Sequence, residues 1–322
     1  MSTALATVAI LSIGQMGLGI AALLTSHNYR ITTNISGRSA ATKARAESAG
    51  IHLYATDEEL VADADYILSI VPPRDAVATA KRVVSALQSE RCERDRREKG
   101  KGAVWYLDLN AISPDTVRGV AGLFEQNEKD VVFVDGGIIG GPPAPPPSQT
   151  EQSAWTRPGI PLSGPHTLDS APVSGAHLAE VLNTRYLGGE VGTASGLKCC
   201  FAALSKGFTA LALQSFSSAE SLGVLDPLRE YLDVYNPGAR QKAEKSVVGC
   251  TGKAYRWVEE MVQIGECFRT EGGTAGEASV FREIAGVFNG LADVVERNGK
   301  EEMGSVEGVV EALLKDQKDK KS

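Results

Sequence analysis

Over the first 135 residues, short apolar runs alternate with longer segments whose apolar positions recur at helical spacing. Residues 7–13 are apolar and partly β-branched and end at a glycine, the pattern of a strand buried on both faces. A helix over 16–25, a strand over 30–35 and a helix over 40–49, stopped by Gly50, follow. The run 66–71 reads as a further strand, the fourth, closed by Pro72-Pro73, and 76–87 as a helix. Strands at 104–109 and 131–134 flank a helix over 116–124. Strands alternating with helices predict right-handed βαβ units and a mostly parallel, doubly wound sheet.

Two stretches depart from the pattern. Residues 89–102 (SERCERDRREKGKG) are so highly charged that they read as a solvated loop or a frayed helix end. Residues 142–158 hold too many prolines for a helix or central strand and read as a surface loop of polyproline II character. From residue 191 the periodicity becomes helical throughout. Helices are predicted over 194–222, 227–235, 255–269, 276–298 and 305–315, with 315–322 as a disordered tail. The fold class expected is α/β: a Rossmann domain over 1–190 and an all-α domain over 191–322.

Composition narrows the function. A net charge of −7 argues against nucleic acid and anionic membrane as general partners. No stretch approaches the roughly 20 apolar residues needed to span a bilayer. The N-terminal segment lacks the basic start of a signal peptide and reads as the buried first strand. Cys92, Cys199, Cys200, Cys250 and Cys267 are odd in number and lack metal-ligand spacing, so a reducing compartment, the cytoplasm, is expected, with no metal.

The first strand runs into Ser12-Ile13-Gly14-Gln15-Met16-Gly17 and then a helix. This is the strand–turn–helix context of the dinucleotide fingerprint G-x-G-x-x-G, with serine in place of the first glycine. Gly14, Gln15, Met16 and Gly17 would bring backbone N–H groups to a pyrophosphate at the helix N-terminus. After the second strand comes Gly37-Arg38-Ser39, with no carboxylate before Glu47. An arginine with hydroxyl neighbours suits the 2′-phosphate of NADP, which a carboxylate would repel, so NADPH is expected over NADH. Val71, Pro72 and Pro73, at the carboxyl end of the fourth strand, should border the ligand crevice.

The ordered set of these motifs, with Asp108-Leu109-Asn110-Ala111-Ile112-Ser113-Pro114, Asp135-Gly136-Gly137-Ile138-Ile139-Gly140-Gly141 and Gly192-Thr193-Ala194-Ser195-Gly196-Leu197-Lys198, resembles the β-hydroxyacid dehydrogenase superfamily. That superfamily holds the 6-phosphogluconate and hydroxyisobutyrate dehydrogenases and, more distantly, imine reductases. The nearest likeness is to a poorly characterised branch with a C-terminal domain of unknown function. The resemblance covers residues 5 to about 290 and identifies no substrate.

It implies that Lys198 is the catalytic general acid/base and that Asn110 lines the nicotinamide and substrate. It implies further that Gly140 and Gly141 offer backbone N–H groups to a substrate anion or carbonyl. A partly desolvated lysine loses some of its preference for the charged form, which suits proton exchange with a hydroxyl or carbonyl oxygen. Two departures stand out. Ile139 replaces the usual serine, and Ala202 replaces the usual asparagine one turn after the lysine. Lys206, about 80° around the helix from Lys198, is a candidate substitute contact for substrate. The loss of polar anchors disfavours 6-phosphogluconate itself, because unpaired polar groups on a buried ligand are costly.

The leading expectation is therefore an NADP-dependent oxidoreductase acting on a small hydroxy or oxo acid. An imine reductase and an NADP-binding sensor or scaffold without turnover remain alternatives. A homodimer is expected from the apolar surface of the helical half.

Overall fold

The computed structural model describes residues 3–37, 39–126, 131–146, 154–272 and 279–320. The chain divides into two compact units, residues 1–198 and 199–322.

The first unit is built on one eight-stranded sheet: β1 (Thr7–Leu11), β2 (Arg30–Asn34), β3 (His52–Tyr54), β4 (Tyr66–Ser69), β5 (Val104–Asp108), β6 (Val131–Gly136), β7 (Ile160–Ser163) and β8 (Thr184–Tyr186). Their order is β3-β2-β1-β4-β5-β6-β7-β8. All neighbours are parallel except β6 and β7. Helices α1 (Gln15–Ser26), α2 (Ala40–Ser48), α3 (Asp57–Asp63), α4 (Ala76–Leu87), α5 (Glu90–Glu98), α6 (Pro114–Glu125) and α7 (Gly175–Val181) connect the strands.

The alternation of side chains along each strand divides the interior into two cores. Val8 and Ile10 of β1, Tyr66 and Leu68 of β4, and Trp105 and Leu107 of β5 enter one. Ala9 and Leu11, Ile67, and Val104 and Tyr106 enter the other. A sheet covered on both faces explains why these strands read as continuous apolar runs.

The predicted strands and helices of this unit are present, with ends shifted by a residue or two. The charged stretch 89–102 corrects the reading as a solvated loop or frayed end. Ser89 caps α5 through the Cys92 N–H at 3.1 Å. Cys92 is fully buried, and Arg96 is only 9% exposed. The Arg96 guanidinium donates to the carbonyls of Val61 (2.6 Å), Ala64 (3.0 Å) and Gly102 (2.5 Å). One buried cation satisfying three carbonyls orders the segment, which composition alone could not show. Strands β3, β7 and β8 and helices α3 and α7 were not foreseen, because each is short.

The proline-rich stretch is not wholly a free surface loop. Pro143 is buried, and Ala144 forms an antiparallel bridge with Thr156. A Cβ on Gly19 of α1 would lie 2.9 Å from Pro143, so only glycine admits this contact. Residues 147–153 of that stretch lie outside the described residues.

Helix α8 (Thr193–Ser221) begins in the first unit and continues into the second. The second unit holds α9 (Leu225–Tyr235), α10 (Pro237–Cys250), α11 (Ala254–Thr270), α12 (Ser279–Asn298) and α13 (Val306–Asp319). Leu213, Phe216, Val247, Met261, Phe288 and Val309 form its core, with Trp257 edge-on to Phe288 at 5.1 Å. Helix α10 was not predicted. Helix α13 runs to Asp319, well into the stretch expected to be a disordered tail.

By length and composition α8 could cross a bilayer, with a window of mean hydropathy 1.3 that is 44% buried within this fold. That corrects the reading that no stretch is long and apolar enough, by length and composition only. Alanines and small polar residues break the run without lowering the average enough.

The buried Arg96 yields a first prediction. Arg96→Met leaves three carbonyls without their donor and should cost ~2–4 kcal/mol of stability by urea unfolding. A loss below ~0.5 kcal/mol would contradict the role given to Arg96.

Candidate active site

Ligands of open α/β sheets bind outside the carboxyl ends of the strands where the strand order reverses, here at β1 and β4. Gly14 ends the turn after β1 and is the N-cap of α1, with an extended backbone and no side-chain cap. A Cβ on Gly14 would meet nothing within 4 Å, whereas one on Gly17 would lie 2.1 Å from the Ser12 carbonyl oxygen. The last glycine is thus required for the helix to approach the strand, and the middle one faces open space. Ser12 has no positive φ, so its backbone does not require the glycine it replaces. The uncapped helix start and the space above Gly14 fit a pyrophosphate. Gln15 and Met16 form the first turn of α1.

At the end of β2, Gly37 adopts φ +69° and Ser39 caps α2 through the Thr42 N–H at 3.3 Å. Arg38 lies outside the described residues. Beyond β4, Val71 and Pro73 are buried and Pro72 is exposed.

A row of buried polar residues crosses the sheet at the same end. The strand registers align Ser69 with Asp108, Asp108 with Asp135, and Asp135 with Ser163. All four are fully buried. Asn110, 2% exposed, joins the row: its Nδ2 donates to Ser69 Oγ (3.0 Å) and its Oδ1 accepts from the Val71 N–H (2.7 Å). Its own N–H donates to Asp108 Oδ1 (3.1 Å). Asn110 thereby ties the carboxyl ends of β4 and β5 together.

The two carboxyl groups differ in their partners. Asp135 Oδ2 accepts from Ser163 Oγ (2.8 Å) and from the N–H groups of Gly192 (2.8 Å), Ala194 (3.1 Å) and Ser195 (3.3 Å). Its Oδ1 accepts from Ser195 Oγ (2.6 Å). Asp135 therefore caps the N-terminus of α8, where the helix dipole favours negative charge. Burial raises its pKa and these donors oppose the rise. Asp108 Oδ2 has no hydrogen-bond partner, nor has the nearby buried Tyr106 hydroxyl. Burial pushes the Asp108 carboxyl up to about 7, helped by the charge of Asp135 and resisted by Asn110. Asp135 has five donors to hold its charge, and Asp108 has only the Asn110 N–H on one oxygen. Sequence reasoning placed both aspartates in motifs but gave neither a role; the signal was a lone polar residue closing each apolar run, VWYLD and VVFVD.

The cap on α8 carries Lys198 to the end of β6. Gly192 takes φ +104°, which favours glycine. A Cβ on Gly137 would lie 2.9 Å from Lys198 Cβ, so the Gly-Gly pair lets the lysine stem lie against the strand. The half-buried Lys198 donates from Nζ to the Ile138 carbonyl at 2.5 Å. Gly140 (φ +127°) and Gly141 follow on an exposed turn, while Ile139 pairs with Gly159 at 2.9 Å in both directions. In the second unit, Ala202 is buried and Lys206 is only 9% exposed. Lys206 pairs with Glu260 and sits 5.3 Å from the Trp257 ring centre.

Comparison with known proteins matches this architecture. Residues 7–91 match the family model "NADP oxidoreductase coenzyme F420-dependent", and residues 219–291 match a domain of unknown function, DUF1932. An uncharacterised 28.5 kDa protein of Methanothermus fervidus is 26% identical over 227 residues, 69% of this chain and 76% of its own. A conserved protein of unknown function, noted for its similarity to 3-hydroxyacid dehydrogenases, superposes with a TM-score of 0.59 at 24% identity, over 89% of this chain and 97% of its own. For 3-hydroxyisobutyrate dehydrogenase of Mycobacterium tuberculosis the values are 0.58 and 17%, over 96% and 99%. For a reductive aminase of Aspergillus terreus in complex with NADPH they are 0.54 and 19%, over 96% and 99%. The fold is that of the 3-hydroxyacid dehydrogenases, as the resemblance of the motifs implied, and the match over residues 219–291 bears out the C-terminal domain of unknown function.

The raised titration of Asp108 is testable. An aspartate in an unfolded chain titrates near ~3.9, whereas Asp108 in the fold titrates at about 7. The folded state keeps a proton that the unfolded state releases in that window, so stability from this group is present below pH ~4 and falls as pH rises to ~7. Asp108→Asn retains the acceptor for Asn110 and removes the titration. Its stability relative to wild type should climb with pH across that window, by up to ~1.4 kcal/mol per unit, then level off. Urea unfolding at a series of pH values measures it; a pH-independent difference would contradict the assignment.

Proposed function

We propose that the protein is an NADP(H)-dependent oxidoreductase that interconverts a small hydroxy acid and the corresponding oxo acid. The observation that carries this reading is the placement of Lys198. A buried carboxylate caps its helix, a glycine admits its stem, and its ammonium is anchored at the carboxyl end of β6. The uncapped start of α1 and the open space above Gly14 support the dinucleotide. The N-terminal family match and the relative holding NADPH support the phosphorylated form.

Bound NADPH would supply a hydride to the substrate carbonyl carbon. In that direction the carbonyl oxygen gains negative charge, and Lys198 gives it a proton from Nζ. In the reverse direction Lys198 accepts the hydroxyl proton. Asn110 holds Val71 and Ser69 in place beneath the reacting centre, so it acts by positioning the ends of β4 and β5. Gly140 and Gly141, exposed on their turn, are the candidate donors to the substrate carboxylate. A homodimer belongs to the same reading: Leu204 and Leu211 of α8 are 78% and 66% exposed.

The test is a screen of small oxo acids, and of imines as the alternative class, for NADPH consumption, followed by Lys198→Met on the best substrate. The variant should lose about 10²–10⁴-fold in kcat, with NADPH affinity changed less than about threefold, a limit small beside the factor of ten that ~1.4 kcal/mol makes. Retained turnover in the variant would remove Lys198 from the chemistry. Turnover only on imines would replace the oxo-acid reading.

A further inference from the structure

The end of β2 holds an acidic group that the sequence hides. In this fold class a carboxylate at that point binds the ribose hydroxyls of NAD and repels a 2′-phosphate. The strand ends at Asn34, and no carboxylate follows before Glu47. The fold nevertheless brings one there. Asp57, in the first turn of α3, accepts from Asn34 Nδ2 on its Oδ1 at 2.6 Å. Left alone, its negative charge would stand beside the end of β2, the region where this fold class recognises the ribose.

It is not left alone. Arg82 of α4 forms a two-pronged pair with it, Nε to Oδ2 and Nη2 to Oδ1, both at 2.8 Å. The Asp57 side chain is 19% exposed and that of Arg82 is 43% exposed. Arg82 also lines a small hollow at the ends of β1 and β2, with Ser12, Ile13, Asn34 and Thr42 among its neighbours. Asn34 completes the connection: its Oδ1 accepts from the Ser36 N–H at 2.7 Å, in the turn of Ser36 and Gly37. A guanidinium, a carboxylate, an amide and a turn are thus linked in one chain of hydrogen bonds.

We propose that Arg82 is a specificity-determining residue for the phosphorylated dinucleotide. It cancels the charge of Asp57 and, through Asn34, holds the turn after β2 in a form that admits a 2′-phosphate monoester. The fork geometry matters, because arginine occupies both carboxylate oxygens at once and a lysine would not. The inference rests on the NADP(H) reading above, and it assigns the preference to a residue far from that turn in sequence.

The experiment titrates wild type, Arg82→Met, Asp57→Asn and the double variant with NADPH and with NADH, following nucleotide fluorescence. Circular dichroism melts check each variant's fold. Wild type should prefer NADPH. Arg82→Met should lose about tenfold or more in NADPH affinity, with NADH changed only a few-fold, because only the 2′-phosphate meets the uncovered carboxylate. The double variant should recover most of that loss, and Asp57→Asn should keep or increase the preference. A folded Arg82→Met with an unchanged NADPH-to-NADH ratio would overturn the inference while leaving the cofactor reading intact. So would a double variant no better than the single one, since Arg82 would then act by direct contact and not by cancelling Asp57. If Arg82→Met does not fold, a fall in preference in Asp57→Asn would overturn it. A wild type without NADPH preference would overturn both the cofactor reading and this inference.

Discussion

One buried carboxylate holds the end of the sheet and the start of α8 together. Asp135, fully buried near the end of β6, takes hydrogen bonds from two serine hydroxyls and three backbone N–H groups at the start of α8. Those N–H groups have no helical partner of their own. Each would cost ~1–3 kcal/mol if buried unmet. The first turn of a long helix is thereby fixed against the end of the sheet. Lys198 sits within reach of that anchor, and its position follows from the cap, from Gly192 and from the bare backbone of Gly137. Burial makes Asp108, the neighbour of Asp135 in register, hard to ionise, and the charge of Asp135 adds to that.

Much of this was legible in the sequence. The buried strands announced themselves as apolar runs, and the turn from Ser12 to Gly17 marked the nucleotide end. The observed clearances give those glycines their reasons: Gly17 has no room for a Cβ, while Gly14 has nothing above it. What escaped was of two kinds. Short elements such as β3 and α7 carry too few residues for a period to show. Residues whose role depends on distant partners also escaped. Arg96 looked like one more charge in a solvated run until three carbonyls gathered around it. Asp57 drew no attention in the sequence, and only the fold sets it beside Asn34.

The polar row Ser69–Asp108–Asp135–Ser163 shows how a parallel sheet carries chemistry. Strand interiors are wholly apolar, and each of these strands admits polar groups at its closing end. Register then aligns those ends into one line across four strands. Asn110 and the start of α8 attach to that line, and the nucleotide cradle lies beside it at β1 and β2. A scaffold that locks its polar groups by mutual hydrogen bonds can hold a lysine and an amide in fixed places without burying unmet charge.

The central claim is that the cradle over Gly14 receives a phosphorylated nicotinamide dinucleotide. Calorimetric titration of the purified protein with NADPH, and separately with NADH, tests it most directly. The account predicts saturable one-site binding with NADPH at least about tenfold tighter, a difference of ~1.4 kcal/mol. Binding of neither nucleotide would contradict it, because a turn with the geometry of Ser12 to Gly17 would then be a structural turn alone.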